Sequence, residues 1–348
     1  LVLAGHNAVA LAENNTIEEV WFLLHEGHMP DASELAVFKD KIETLGRLPN
    51  DEVNLIKKLR GIEPLSAFRT ALSAIANRRG YQPWLNRPKQ EAVEEILALC
   101  ALAPSIVEVL HTGRRPRLKN GNVGYAERYL WGVTGNKPSA ENVRAVETDL
   151  ILTMGHGLNA STFASRVTAS TGADVGAAIT SGIGTLSGPL HGGAPGPVLD
   201  MLDAIGSNDK ADGWVRGQLA AGIRLMGFGH RIYRTDDPRA LTLKRVAERQ
   251  NGPRIELAKV TEQAALTVLT EKQNARAAVD GKVVRPLRVN VEFWTAVVLE
   301  HVGIPRELFS STFCASRIIG WGEHVAEQIA DNKLFRPLSL YTGEMPAE

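Results

Sequence analysis

At 348 residues the chain exceeds the length at which one hydrophobic core stops growing, so two lobes with a crevice between them are the expectation. Lysine plus arginine number 39, as do aspartate plus glutamate, and no dense basic stripe is present, which argues against a nucleic-acid partner. Cys100 and Cys314 stand far apart and outside any C-x-x-C spacing; this argues against a disulfide framework or thiolate zinc site and favours a reducing, cytoplasmic setting.

The first residues, Leu1-Val-Leu-Ala-Gly-His, lack the basic region and long apolar stretch of a signal peptide, and a start on leucine reads as a trimmed N-terminal segment. No apolar run reaches membrane-spanning length, so no membrane partner is expected. Thr16 and Glu19 form a capping box ahead of Val20, Phe22, Leu23 and Leu24, and Asp31 with Glu34 opens a second helix in the same way. The basic, glycine-bearing stretch from Arg114 to Gly124 reads as an exposed loop. After Pro138-Ser139, the residues Val143, Val146, Leu150, Ile151 and Met154 recur at helical spacing, which predicts a long helix running towards His156.

From Ala160 to Leu186 small residues crowd helical segments, with Gly172, Gly176, Gly182 and Gly184 letting backbones approach closely. This pattern fits tight packing within one subunit and equally a helix layer shared by two. Gly188 to Pro197, with four glycines and three prolines, suits a hinge between lobes. Pro195 and Pro197 then suit the first turn of a helix carrying Val198, Leu199, Met201, Leu202 and Ile205 and ending near Gly206. A later helix over Phe309 to Ile329 returns to the first lobe. Strand evidence is thin, since no period-two alternation is sustained and Lys282 to Val284 is isolated, so the fold class is all-α.

The residues with chemical potential sit in the turns. His191, in Gly188-Pro-Leu-His-Gly-Gly-Ala, precedes a helix start whose positive end disfavours an imidazolium, and a neutral ring donates N–H to a developing enolate oxygen; a histidine in such a turn also serves structure alone. His230, in Met226-Gly-Phe-Gly-His-Arg-Ile-Tyr-Arg, and Arg239 read as a carbonyl donor and a carboxylate clamp, or Arg239 as a salt bridge to Asp236 or Asp237. Arg231 and Arg234 also suit a solvated face. Arg317, among Phe313, Ile318 and Ile319, needs an anionic partner, which a ligand carboxylate supplies. Glu292 lies among Val291, Phe293 and Trp294, which desolvate it and raise its pKa towards the range of a base, although a lone glutamate is commonly a surface residue. His156, His191, His230 and Glu292 together raise a zinc site, but no H-E-x-x-H or comparable spacing carries it.

These motifs resemble the citrate synthase family. The matching stretches run from Ala10-Leu-Ala-Glu-Asn-Asn-Thr through His156-Gly-Leu-Asn-Ala-Ser-Thr-Phe, Gly188-Pro-Leu-His-Gly-Gly-Ala, Gly227-Phe-Gly-His-Arg-Ile-Tyr-Arg, Asp237-Pro-Arg and Asn290-Val-Glu-Phe to Phe335-Arg-Pro, nearly the whole chain. The resemblance implies an almost entirely helical, dimeric enzyme that joins acetyl-CoA to oxaloacetate without a metal or other cofactor, the coenzyme A thioester being a substrate. It implies a large lobe over 1–193 and 306–348 and a smaller mobile lobe over 194–305.

Carried over position by position, it makes His191 the donor to the thioester oxygen, Glu292 the base and His230 the residue that polarises the ketone. His156, Arg239 and Arg317 hold the oxaloacetate dianion, and Arg336 is lent by the partner subunit. For coenzyme A it implies the backbone turn Leu225, Met226, Gly227, Phe228 and Gly229, with Arg234 on a phosphate and Asn290 beside the pantetheine. The chain departs from the common pattern at Glu292, where most members have aspartate, a feature that resembles a bacterial branch with Asn-Val-Glu-Phe, and at Gly155 and Pro195, where aspartate and asparagine are usual. One methyl on the acyl chain changes binding by only about 1–3 kcal/mol, so 2-methylcitrate synthase, using propionyl-CoA, is the alternative activity. A non-catalytic paralogue that senses oxaloacetate or coenzyme A is the alternative outside catalysis.

Overall fold

Helix caps divide the chain into its elements. The computed structural model describes residues 1–116, 123–189, 191–192, 195–230, 232–233, 235–280 and 287–346. A short hairpin pairs Val2–Leu3 with His6–Asn7 in antiparallel register, Val2 opposite Asn7 and Leu3 opposite His6. The Asn7 side chain then accepts the Val9 and Ala10 N–H groups and starts α1 (Ala8–Asn14). The expected capping boxes are present: Thr16 with Glu19 opens α2 (Ile17–Glu26), and Asp31 with Glu34 opens α3 (Ala32–Leu45).

Next come α4 (Asn50–Lys57), α5 (Pro64–Arg78) and the long α6 (Lys89–Thr112). Every residue of α6 from Ile96 to Val109 is buried, which is the signature of a helix surrounded by others. After α7 (Tyr125–Thr134), Ser139 caps α8 (Ala140–Met154), the helix expected to run towards His156. Asn159 caps α9 (Ala160–Ser170), and Asp174 caps α10 (Val175–Leu186). Then follow α11 (Pro195–Ile205), α12 (Ala211–Ala220), α13 (Pro238–Gln250), α14 (Pro253–Asp280), α15 (Val291–His301) and α16 (Phe309–Ala330). Arg114 and Arg115 are exposed as expected for a loop, while 117–122, and the stretch Lys282 to Val284, lie outside the described residues.

α16 organises the interior, packing on α6, α8, α9 and α10. Buried apolar side chains join in one continuous cluster that includes Trp21, Trp294 and Trp321, each fully buried. Two of the crowded glycines meet neighbours within the chain: a Cβ on Gly176 would overlap Ala76 of α5, and one on Gly182 would overlap the Ser165 hydroxyl of α9 and sit 3.0 Å from the Trp321 ring. The closest approach is between α16 and the end of α8, where a Cβ on Gly320 would overlap the Met154 carbonyl. Around it, Arg317 Nε donates to the Thr153 carbonyl at 2.6 Å, Ser316 Oγ donates to the Leu150 carbonyl, and Thr153 Oγ1 donates to Ser316 Oγ at 3.1 Å. Among the described residues no helix is long and apolar enough to cross a membrane.

Gly320→Ala is expected to cost about 1–3 kcal/mol through overpacking against backbone. Gly217→Ala in α12, where the added carbon meets nothing within 4 Å, is expected to stabilise by about 0.5–1 kcal/mol. Urea midpoints of the two variants check this, and equal shifts contradict the packing account.

Candidate active site

His191 follows α10, and its backbone N–H is tied to the Gly188 carbonyl at 2.9 Å. Its Nε2 lies 2.7 Å from the hydroxyl of Ser161, a fully buried residue in the first turn of α9. Trp321 Nε1, which only donates, gives its proton to the same Ser161 oxygen at 3.1 Å. The one serine proton then goes to Asn159 Oδ1, at 2.8 Å, or to His191. Asn159 Oδ1 already accepts the Ser161 and Thr162 N–H groups, each at 3.1 Å, so the network favours Ser161 donating to His191 Nε2. A neutral ring in that network carries its proton on Nδ1 and can donate from there. Burial, and after it the Arg317 charge, pushes the imidazole down to about 4. The expected helix follows His191 as α11, and burial and Arg317 are causes that the rest of the fold adds.

His230, His156 and Tyr233 form a second group, with 5.4 Å between the two imidazole centroids and the tyrosine ring 4.7 Å from that of His230. His230 Nδ1 accepts the backbone N–H groups of Ile232 at 3.0 Å and Tyr233 at 3.1 Å. A neutral His230 therefore carries its proton on Nε2, which lies 3.3 Å from Arg239 Nη2. Two donors converge there, and a shared ligand oxygen satisfies both. Arg239 is buried, and its Nε and Nη2 donate to the two oxygens of Asp237 at 3.0 and 2.8 Å, so the salt bridge weighed from the sequence is formed and orients the guanidinium. His156 Nε2 meets the Tyr233 hydroxyl at 3.0 Å. Burial first, then Arg239 and Arg317, pushes His156 down to about 3.

Glu292 stands in the first turn of α15, with Val291, Phe293 and Trp294 buried beside it. Its Oε2 is buried without a hydrogen-bond partner among the described residues. Burial raises its pKa, while Arg239 pulls the other way and Arg317 adds to that pull. Arg317 itself is buried against the Phe313 ring, 4.8 Å from its centroid, and is pushed down to about 9 by burial and by Arg239. The cluster thus offers a proton-hungry carboxylate, two neutral imidazoles and two buried cations, a set suited to removing a carbon-bound proton and stabilising the oxyanion beside bound carboxylates.

The segment Leu225 to Gly229 is brought against Asn290. Phe228 bridges Val289, Gly229 N–H donates to the Arg288 carbonyl at 2.7 Å, Asn290 N–H donates to the Gly227 carbonyl at 2.9 Å, and Asn290 Nδ2 donates to the Gly229 carbonyl at 3.1 Å. Gly227 has φ of +81°, and a Cβ there would come within 2.8 Å of Phe293 Cβ, so this turn requires glycine beside the Glu292 helix. The side chains of Leu225 and Phe228 are buried. A cavity of about 210 Å³ opens beside it, lined by His230, Tyr233, Thr235, Asp237, Leu287, Arg288 and Val289. Arg234 lies outside the described residues. Arg336 is exposed on the C-terminal segment and donates to the Pro337 carbonyl at 2.7 Å, apart from the contacts just described.

Sequence reading missed Ser161, Trp321 and Tyr233. The first was signalled by the Asn159 cap two residues before it, whereas nothing local marks Trp321 as a partner of α9. Among the described residues no group of three or more histidine, cysteine, aspartate or glutamate side chains is placed to hold a metal ion.

The family described as "Citrate synthase, C-terminal domain" matches residues 1–338. Citrate synthase 2 of Bacillus subtilis is 33% identical over 99% of this chain and 90% of its own length. The 2-methylcitrate synthase of Mycobacterium tuberculosis is 34% identical over 99% of this chain and 84% of its own. The solved citrate synthase of Thermoplasma acidophilum, in a ternary complex with carboxymethyl coenzyme A and oxaloacetate, superposes with a TM-score of 0.85 at 26% identity, covering 99% of this chain and 90% of that one.

His156 and His191 hold protons less tightly folded than at the ordinary value of 6.5. Below that pH the unfolded chain takes up protons that the folded one refuses, so this part of the stability is complete above about pH 6.5 and declines as the pH falls towards 4. His191→Gln is expected to flatten part of the decline in urea midpoint between pH 7.5 and 5, and an unaltered slope contradicts a neutral buried His191.

Proposed function

The chain belongs to the citrate synthase family, and on that premise we propose that it condenses acetyl-CoA with oxaloacetate and hydrolyses the resulting citryl-CoA to citrate and free coenzyme A. The observation that carries this reading is the buried, unpartnered Glu292 Oε2 facing the fields of Arg239 and Arg317. Glu292 takes a proton from the acetyl methyl while His191 Nδ1–H stabilises the thioester oxygen as the enol forms. His230 Nε2–H, with Arg239, polarises the oxaloacetate ketone, and His156, Arg239 and Arg317 hold the dianion. The enol carbon attacks the ketone carbon, and water then cleaves the thioester. The turn Leu225 to Gly229, with Asn290 and Arg234, holds the coenzyme; no metal or other cofactor takes part.

The site draws on two parts of the chain. His156, Ser161, His191 and Arg317 come from 1–193 and 306–348, and His230, Arg239 and Glu292 from 194–305, which supports a large lobe and a smaller one that closes over substrate and excludes water. The C-terminal segment supports a homodimer in which Arg336 completes the site of the other copy. Leu338 is 94% exposed and Leu340 88%, apolar surface that a second subunit covers. Two buried, unpaired thiols, Cys100 and Cys314, support a cytoplasmic location. Glu292 within Asn290-Val-Glu-Phe supports membership of the branch that carries glutamate at the base position. The likeness to a 2-methylcitrate synthase favours propionyl-CoA as the second acyl donor.

Thiol release that requires both an acyl-CoA and oxaloacetate is the expected result of a steady-state assay, and release independent of oxaloacetate contradicts condensation. A binding-only paralogue gives no release at all. His191→Ala is expected to lower turnover by roughly 10²–10³ through loss of one preorganised donor, and unchanged turnover removes it from the mechanism. Glu292→Gln is expected to abolish oxaloacetate-dependent exchange of the acetyl methyl protons with deuterium oxide, and persistent exchange moves the base elsewhere.

A further inference from the structure

Asp149 is a fully buried carboxyl that the mechanism above leaves unused. It sits on α8, seven residues before His156. Its Oδ1 accepts the Thr295 hydroxyl at 2.6 Å, and its Oδ2, also buried, has no hydrogen-bond partner among the described residues. Thr295 lies one helical turn after Glu292, so this bond fastens α15 just beyond Glu292 to α8, the helix that ends two residues before His156. One neutral hydroxyl solvates a carboxylate poorly, and the interior favours the neutral acid. Burial pushes Asp149 up to about 7, while Thr295 and then Arg239 pull it down.

The cation that favours ionised Asp149 is thus Arg239, which also faces the proposed dianion. A dianion docked on Arg239 takes over that positive field and adds its own negative one. We propose that Asp149 is a positioning residue that takes up a proton from solvent when dianionic oxaloacetate binds, so that affinity for this substrate rises as pH falls. The inference rests on the proposed oxaloacetate site.

The other ionisable groups around α8 respond differently. From α7 comes Tyr129, a buried phenol with its pKa raised well beyond neutrality; from α13, Arg239; from α15, Glu292; and from α16, Arg317, pushed down to about 9. Glu147, two residues away and so on the opposite face of α8, is also pushed up to about 7 by burial; it accepts the Ile17 N–H at 3.1 Å and pairs with Arg144 at 2.9 Å. It therefore reports on α2 and not on α15. His230 Nδ1 accepts two backbone N–H groups, those of Ile232 and Tyr233.

Calorimetric titration of the full chain with oxaloacetate at pH 7.5, in buffers of different ionisation enthalpy, counts the protons taken up. The wild type is expected to take up a substantial fraction of one proton per site, and Asp149→Asn, which mimics the neutral acid, close to none. Wild-type Kd is expected to rise roughly three- to tenfold between pH 6.5 and 8.5, and that of the variant by less than about twofold. Thr295→Val gives a second route should Asp149→Asn fold poorly: without the hydroxyl the acid is already protonated, and uptake at pH 7.5 is expected to shrink. Equal proton counts in wild type and both variants overturn the role of Asp149 and leave the substrate assignment standing. No heat and no thiol release with oxaloacetate in the wild type overturn both.

Discussion

The site depends on the contact between the last turn of α8 and the middle of α16. A glycine at 320 lets the two backbones meet at the Met154 carbonyl, and the neighbouring residues of both helices exploit that proximity. Arg317 reaches Thr153 from one side of the contact, and Trp321 reaches Ser161 from the next turn. The first places a guanidinium beneath the histidine cluster, and the second fixes the hydroxyl against which His191 leans. A shift of even an ångström between these helices would misplace a cation and a donor together, a displacement that can cost about a hundredfold in rate.

Around this joint the charges are arranged so that the imidazoles stay neutral and the carboxylates stay basic. Burial first, then Arg239 and Arg317, depresses His156; burial first, then Arg317, depresses His191; and burial raises Glu292 and Asp149. Arg239 is paired with Asp237, and among the described residues Arg317 forms no ion pair. A dianionic substrate relieves that excess of positive charge, and the same dianion is the electrophile in the proposed reaction. Binding and chemistry are therefore linked through one electrostatic imbalance rather than through separate devices.

Much of the architecture was legible because it is written locally. Thr16 with Glu19 and Asp31 with Glu34 announce helix starts through side-chain oxygens placed three residues from their partners. The stripe from Val143 to Met154 announces the helix before His156. The motifs around His191 and His230 stood out because glycine and an ionisable residue side by side are uncommon without a reason, and Glu292 stood out as a carboxylate among Val291, Phe293 and Trp294. What was hidden is non-local. Trp321 and Ser161 are 160 positions apart, and Asp149 and Thr295 are 146, so no spacing in the chain relates them. Burial and Arg317, which lower the His191 pKa, are non-local in the same way, whereas the helix after His191 was visible in the sequence.

The central claim is that Glu292 faces the carbon that gives up its proton. A crystal structure of this chain with oxaloacetate and a non-reactive acetyl-CoA analogue tests it most directly. The account predicts a Glu292 carboxylate oxygen within about 3.2 Å of the atom standing for the acetyl methyl, with His191 Nδ1 at hydrogen-bond distance from the thioester oxygen. A Glu292 side chain turned to solvent in the closed, doubly occupied site contradicts it.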